Sequence, residues 1–456
     1  MERESNVDGF FMNRRDFLKK SSVLGAAGLT LGTGVPKAKA AGPNDQIGVA
    51  VIGTGAQGTV LLNSLKNIPG LKFHALCDIW EYNLKKGMSA LRGTGTRPNI
   101  YENFEEMLEK EKDVDAVIVA TPDFWHAPHT VACLQAGKHV YCEKMMSNTL
   151  DGAKSMVKAA RESGKLLQIG HQRRSNPRYR FVLDKFIKET PLAGRIVNVN
   201  GQWNRSLSKS QDITIRKASL LIPKEKLQQY GFQDMRQFLN WRWFKGLSGG
   251  PISDLGAHQI DVFNWFLDAV PTSVTASGGR DYFKDREHFD NVMSIFEYDT
   301  PEGTARAFYQ VLTTTSAGGG YFERFMGTEG CIKISENPSF TKIYREPEVD
   351  MEKWKPILGK GLLRQDKATA PAAAAPSAGT IDVRESAPLA AYDIPVVLNK
   401  PAHQPHLENF FEAIRGDASL NCDGEHAYRD EFAIHHVNKS AEQNERVVLK
   451  PEDYEI

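Results

Sequence analysis

The spacing of apolar residues changes character along the chain. Between residues 46 and 170, short apolar runs alternate with stretches of helical periodicity; the runs are Ile47–Ile52, Lys72–Cys77, Ala116–Ala120, Val140–Cys142 and Leu166–Ile169. Such alternation marks βαβ units around a parallel sheet buried on both faces. From about residue 195 the runs become longer and more polar at every second position: Ile196–Trp203, Ser273–Ser277, Asn291–Tyr298, Thr304–Gln310 and Cys331–Ser335. A period of two predicts strands with one covered face, as in an open antiparallel sheet. The expected architecture is an α/β Rossmann domain with a parallel sheet over 41–171, then an α+β C-terminal domain with an open, mostly antiparallel sheet over 172–456.

Two stretches interrupt the second pattern. Residues 206–237 are charged and helix-like without strand periodicity. Residues 365–391 contain an Ala-, Pro- and Ser-rich run that cannot bury a core and reads as a flexible surface insertion, with the last residues packing back as helices.

The first forty residues follow another logic. A polar lead is followed by Asn13-Arg14-Arg15-Asp16-Phe17-Leu18-Lys19-Lys20, a small-residue run from Ser21 to Gly34, and Ala38-Lys39-Ala40. This order reads as a signal peptide over residues 1–40, resembling a twin-arginine export signal with cleavage near Ala41. Its apolar run is short against the roughly 20 residues a membrane span requires. A periplasmic or otherwise exported protein with no stable membrane span after processing is therefore expected.

Charge and cysteine content narrow the partners. With 57 basic and 56 acidic residues, the net charge of +1 creates no field to recruit nucleic acid or an anionic membrane, and a small neutral substrate fits that balance better. Five cysteines without paired spacing fit folding in a reducing compartment before export, and no C-x-x-C pair indicates zinc.

The candidate chemistry lies at strand ends. Gly53-Thr54-Gly55-Ala56-Gln57-Gly58 stands between the first strand and a helix. There, glycines permit a tight turn and close approach of backbone amides to a pyrophosphate at the helix N-terminus. Asp78 ends the second strand, placed to accept hydrogen bonds from ribose hydroxyls and to repel a 2′-phosphate, so NAD is favoured over NADP. Thr121, Pro122 and His126 leave a later strand toward the dinucleotide, although Pro122 could simply shape the turn and His126 cap a helix.

Glu143-Lys144 ends the next strand, placing Lys144 where an ammonium could polarise a substrate oxygen, with a surface ion pair as its alternative. Asp254 and His258 are four apart after a Gly249-Gly250-Pro251 turn, on one face of a helix; His258 suits a general base and Asp254 either an orienting group or an N-cap. A metal reading of Asp254, His258 and Asp261 lacks a further ligand and ranks low. His171, Arg173, Arg174, Trp203, Trp243 and Tyr321 are candidate substrate-pocket residues, each with a core or surface role as its alternative.

Taken together, the glycine loop from Gly53 to Gly58, Thr121-Pro122 with His126, Glu143-Lys144 and the run from Gly249 to Asp261 resemble the Gfo/Idh/MocA oxidoreductases. The resemblance spans nearly all of the chain after the signal. It implies a Rossmann domain plus an open sheet that commonly mediates homo-oligomerisation, and a catalytic set of Lys144, Asp254 and His258. Met145 stands where the family has proline; methionine does not fix φ and disfavours a cis bond. The expected function is NAD(P)-dependent oxidation or reduction of a secondary hydroxyl or keto group on a sugar, glycoside or cyclitol, with a tightly bound, recycled cofactor. Two other readings stay open: redox-neutral glycoside cleavage through a transient 3-keto sugar, and an NAD-stabilised sugar-binding protein without turnover.

Overall fold

The structure is a computed structural model that describes residues 46–366 and 389–456. The signal with Arg14 and Arg15 lies outside the described residues, as does most of the 365–391 insertion.

Strand β1 (Ile47–Ile52) is buried along its whole length, as an unbroken apolar run at the centre of a parallel sheet requires. It is followed by α1 (Ala56–Leu65), β2 (Leu71–Cys77), α2 (Glu81–Ala90), β3 (Asn99–Tyr101), α3 (Phe104–Lys110), β4 (Ala116–Val119), α4 (Asp123–Gln135), β5 (His139–Cys142), α5 (Leu150–Ser163) and β6 (Leu167–Ile169). The strands pair in parallel in the order β3-β2-β1-β4-β5-β6. The order reverses between β1 and β4, and a crevice opens at the carboxyl ends of the strands there. Strand β3 escaped the apolar pattern because it is an edge strand whose Asn99 and Ile100 are exposed.

The second sheet is built on β7 (Ile196–Asn204), followed by α6 (Ala257–Leu267), β8 (Pro271–Gly279), β9 (Asn291–Thr300), β10 (Gly303–Leu312), β11 (Tyr321–Gly327), β12 (Gly330–Ile334), β13 (Lys342–Arg345), β14 (Arg364–Gln365) and β15 (Ala390–Asp393). With β16 (Val447–Val448), the order is β14-β15-β13-β12-β11-β7-β10-β9-β8-β16. The β7–β10 pair is parallel and the other pairs are antiparallel, which gives the mostly antiparallel sheet.

In β9, Val292, Phe296 and Tyr298 face the core while Met293 and Ile295 are exposed. Helix α6 packs so closely on the inner face that a side chain at Gly201 would meet the Phe263 ring at 2.5 Å.

The chain then returns to the first domain. Helix α7 (Gln404–Ile414) places Leu407, Phe410 and Phe411 in one cluster with Val49 and Val51 of β1 and Leu61 and Leu62 of α1. Helix α8 (Gly424–Gln443) packs against both α5 and β8.

The strandless stretch after β7 folds over the Rossmann edge. Residues 206–247 contribute Ile222, Leu227, Phe232 and Leu247 to a cluster with Trp80. Trp80 Nε1 donates to the Leu220 carbonyl at 2.8 Å, Trp125 Nε1 donates to the Tyr230 carbonyl at 3.0 Å, and Lys226 pairs with Glu102 at 2.6 Å. The charged stretch thus forms a roof with an apolar underside.

Candidate functional site

A continuous cavity of about 1640 Å³ runs from the roof, past the glycine turn, to the end of the second sheet. It is larger than the few hundred to about 1,000 Å³ usual for one small ligand. It has room for a dinucleotide and a second small molecule together.

At one end, Gly53 has φ +88° and its amide donates to the Cys77 carbonyl, the geometry only glycine adopts without strain. A Cβ at Gly58 would lie 1.9 Å from the Gly53 carbonyl oxygen, so Gly58 serves close packing and does not line the cavity. Gly55 caps α1, and a Cβ there would meet only Asn83 Nδ2 at 3.4 Å, which leaves this amide-rich turn open to a phosphate. Gly53, Gly55, Ala56, Gln57 and Asp78 all line the cavity. The Asp78 carboxylate is aimed by the Thr54 and Trp80 amides, each donating at 2.8 Å, and by Asn83. These residues fit a nicotinamide dinucleotide: an open glycine turn suits its pyrophosphate and a fixed carboxylate after the second strand suits its ribose hydroxyls.

Midway, Thr121, Pro122 and Glu143 line the wall. His126 is buried there, with Nδ1 2.6 Å from the Met145 carbonyl and Nε2 2.7 Å from the Thr121 carbonyl, and so braces the β4 and β5 loops against each other. Gln57 Nε2 donates to Glu143 Oε1 at 3.1 Å and lies 3.1 Å from His403 Nε2.

The Lys144–Met145 peptide bond is cis, which corrects the expectation drawn from methionine's lack of a fixed φ. The loop's polar groups are held from both sides, the Met145 carbonyl by His126 and the Met146 amide by Glu431 of α8.

Lys144 then reaches across to the second domain. Its Nζ donates to the Asp254 backbone carbonyl at 2.5 Å and lies 3.9 Å from the Asp254 carboxylate, so Asp254 and not Glu143 is its partner. Asp254 belongs to a π-helical turn, Ile252–Gly256, just before α6. Such turns recur at functional sites. Asp254 is not the N-cap: Arg242 Nε donates to its Oδ1 at 2.8 Å, and with Lys144 and Arg205 holds the carboxyl well below the usual range. It therefore stays ionised.

His258 lines the cavity and has no side-chain hydrogen bond among the described residues. Burial, with Lys144 and Arg173 nearby, pulls its pKa well below 6.5, so the imidazole is neutral and its lone pair is uncommitted. Asp261 points away to Arg174.

Trp203 and Tyr321 line the same end, stacked at 4.5 Å, with Trp203 5.7 Å from the His258 ring. Trp243 lines it too, its ring covered by the Arg286 guanidinium at 3.8 Å.

His171, Arg173 and Arg174 do not line the cavity. They stand in the wall behind it, in and beside a 3-10 turn that carries them inward. Arg173 pairs with Glu323 and Glu336, and Arg174 with Asp261 and Asp430. His171 Nδ1 lies 3.7 Å from Asp261, and burial pulls its pKa down to about 4.

Arg205, Arg242, Glu336 and His403 line the cavity and carry no motif in the sequence, while Asp123 lines it as part of the run that leaves β4 with Thr121 and Pro122. Arg242 alone carried a local signal, sitting between Trp241 and Trp243.

Comparison with known proteins agrees with this arrangement. Residues 47–171 match the family model for the oxidoreductase family with an NAD-binding Rossmann fold (GFO_IDH_MocA), and residues 226–333 match the GFO/IDH/MocA C-terminal domain. A scyllo-inositol 2-dehydrogenase (NADP(+)) of Bacillus subtilis is 28% identical over 51% of this chain and 55% of its own length. A glycosyl hydrolase family 109 protein of Solibacter usitatus is 34% identical over 32% of this chain and 35% of its own. The chain thus spans about half or less of the length of these curated relatives. An aldose-aldose oxidoreductase from Caulobacter crescentus, complexed with glycerol, shares the fold with a TM-score of 0.63 at 20% identity, over 89% of this chain and all of that one. With family models matching both the cofactor domain and the sheet domain, the chain belongs to the Gfo/Idh/MocA oxidoreductase family.

Proposed function

We propose that the protein is an exported, NAD-dependent oxidoreductase that interconverts a secondary hydroxyl and a keto group on a sugar, glycoside or cyclitol, using a cofactor it retains. One observation carries the reading: Lys144, Asp254 and His258, from two domains, meet in the same cavity as the open glycine turn.

NAD bound in the groove supplies the hydride acceptor. The neutral imidazole of His258 removes the hydroxyl proton. The Lys144 ammonium, presented by the Asp254 carbonyl, donates to the same substrate oxygen and stabilises its developing charge. Asp254, ionised throughout, holds Lys144 and Arg242 in place. The stacked Trp203 and Tyr321 rings offer an apolar face to a sugar's C–H surface.

Three features support the finer points. Asp78 at the ribose position favours NAD over NADP, because its carboxylate repels a 2′-phosphate. The roof, anchored by Trp80, Leu227 and Phe232, packs beside Asp78 at the adenosine end of the groove, which supports a retained cofactor. Retention suits the export signal read at Arg14-Arg15, since little free NAD awaits an enzyme outside the cytoplasm. The exposed Met293 and Ile295 on the outer sheet face support homo-oligomerisation through that sheet.

The test is to purify the protein natively, identify the released cofactor by mass spectrometry, and screen sugars, glycosides and cyclitols while following bound-nicotinamide absorbance. Retained NAD, with oxidation sustained only by an added acceptor, is expected. Free sugar released from a glycoside without acceptor would replace this reading with redox-neutral cleavage.

A further inference from the structure

The substrate end of the cavity holds more positive charge than the protein neutralises. Three cations converge on the single carboxylate of Asp254: Arg242 at 2.8 Å, Arg205 at 3.6 Å and Lys144 at 3.9 Å. Glu143 supplies one more carboxylate from the wall, accepting from Gln57, so three cations face two carboxylates and one positive charge remains. Burial pushes Asp123 up to about 8, which leaves it protonated at neutral pH, and Glu336 is already engaged by Arg173.

The two arginines are also held ready. The Arg242 guanidinium lies over the Trp241 ring at 4.2 Å, and only its Nε is committed, to Asp254. Its two Nη groups, and every guanidinium nitrogen of Arg205, lack a hydrogen-bond acceptor among the described residues. Their side chains are 40% and 28% exposed, and both line the cavity.

We propose that Arg205 and Arg242 form a clamp for an anionic substituent, a carboxylate or a phosphate, on the sugar that enters this cavity. A planar guanidinium presents paired donors that match either group, and two of them beside Lys144 leave room for one anion to restore neutrality. The net charge of +1 for the whole chain conceals this local excess. The identity of the ligand as a sugar rests on the oxidoreductase reading; the charge selection does not require turnover.

Calorimetric titration of the cofactor-loaded protein with a hexose, its hexuronate and its 6-phosphate, in the gluco and galacto series, tests the clamp. In at least one series, one anion should bind about tenfold or more tightly than the neutral hexose, and added salt should weaken only the anion. Arg205→Gln and Arg242→Gln should pull that ratio toward one, and Arg205→Lys should keep part of it. Equal binding of neutral and anionic sugars by the unaltered protein would overturn the clamp, whatever the variants do. So would a ratio unchanged in both Gln variants. Which anion prefers the site separates carboxylate from phosphate. Tight anion binding without any reduction of bound cofactor would sink the oxidation reading and leave the clamp standing, while turnover of neutral sugars without anion preference would do the reverse.

Discussion

Arg173 and Arg174 are neighbours in sequence and Arg205 and Arg242 are not, yet the distant pair shares a site and the adjacent pair stands behind it. Arg173 meets Glu323 and Glu336, and Arg174 meets the ionised Asp261 with Asp430 beside it, the two side chains being 1% and 8% exposed. The second two share the one carboxylate of Asp254 with Lys144 and open onto the cavity. The two pairs differ in how far the protein itself supplies the counter-charge. A closed assembly stabilises the wall, and an open one waits for an anion.

The contrast can be broken at several points. The largest effect is expected at the chemistry: Lys144→Ala and His258→Ala should each lower kcat/KM by about 10²- to 10⁴-fold in steady-state assays. Next comes the wall. Arg173→Met strands the buried Glu323 carboxylate and should cost about 3–5 kcal/mol in denaturant unfolding, whereas Arg205→Gln, partly exposed, should cost less than about 1 kcal/mol. Similar costs for the two would erase the distinction between closed and open pairs.

Smaller still, Asp78→Ala removes a charged hydrogen-bond acceptor and should weaken NAD binding about tenfold to a hundredfold, read as lost cofactor in natively purified protein.

The smallest effect concerns pH. The proposed proton removal needs neutral His258, whose pKa lies well below 6.5, so lowering the pH from 8 to 6.5 should change kcat/KM less than about twofold, with the fall appearing only in more acid buffer. A halving already at pH 6.5 would show an ordinary, unshifted histidine.

The cofactor half of the site was legible because its residues follow strands directly. Gly53, Asp78 and Lys144 each sit within two residues of a buried strand's end, where the fold places ligands. Asp254 and His258 were legible because one helical turn carries both, although the π geometry that turns the Asp254 carbonyl to Lys144 has no sequence signal.

His171, Arg173 and Arg174 misled for the same reason that Lys144 did not. They too follow a strand, β6, but the chain turns inward there and the carboxyls that meet them come from β11, the loop after β12, α6 and α8. Arg205, Glu336 and His403 reach the cavity from separate elements, and that convergence exists only after folding. The roof, charged and helix-like without strand periodicity, gives no sign of what its apolar residues cover; their common partner, Trp80, lies more than a hundred residues earlier.

The most direct measurement mixes cofactor-loaded protein with an oxidisable sugar in a single turnover and follows the rise of reduced-nicotinamide absorbance. The unaltered protein should show a rise stoichiometric with bound NAD, and Lys144→Ala and His258→Ala proteins carrying the same cofactor load should show it slowed by at least about 10²-fold. A rise of equal rate in all three would contradict the account, as would no rise with any sugar, glycoside, cyclitol or sugar acid.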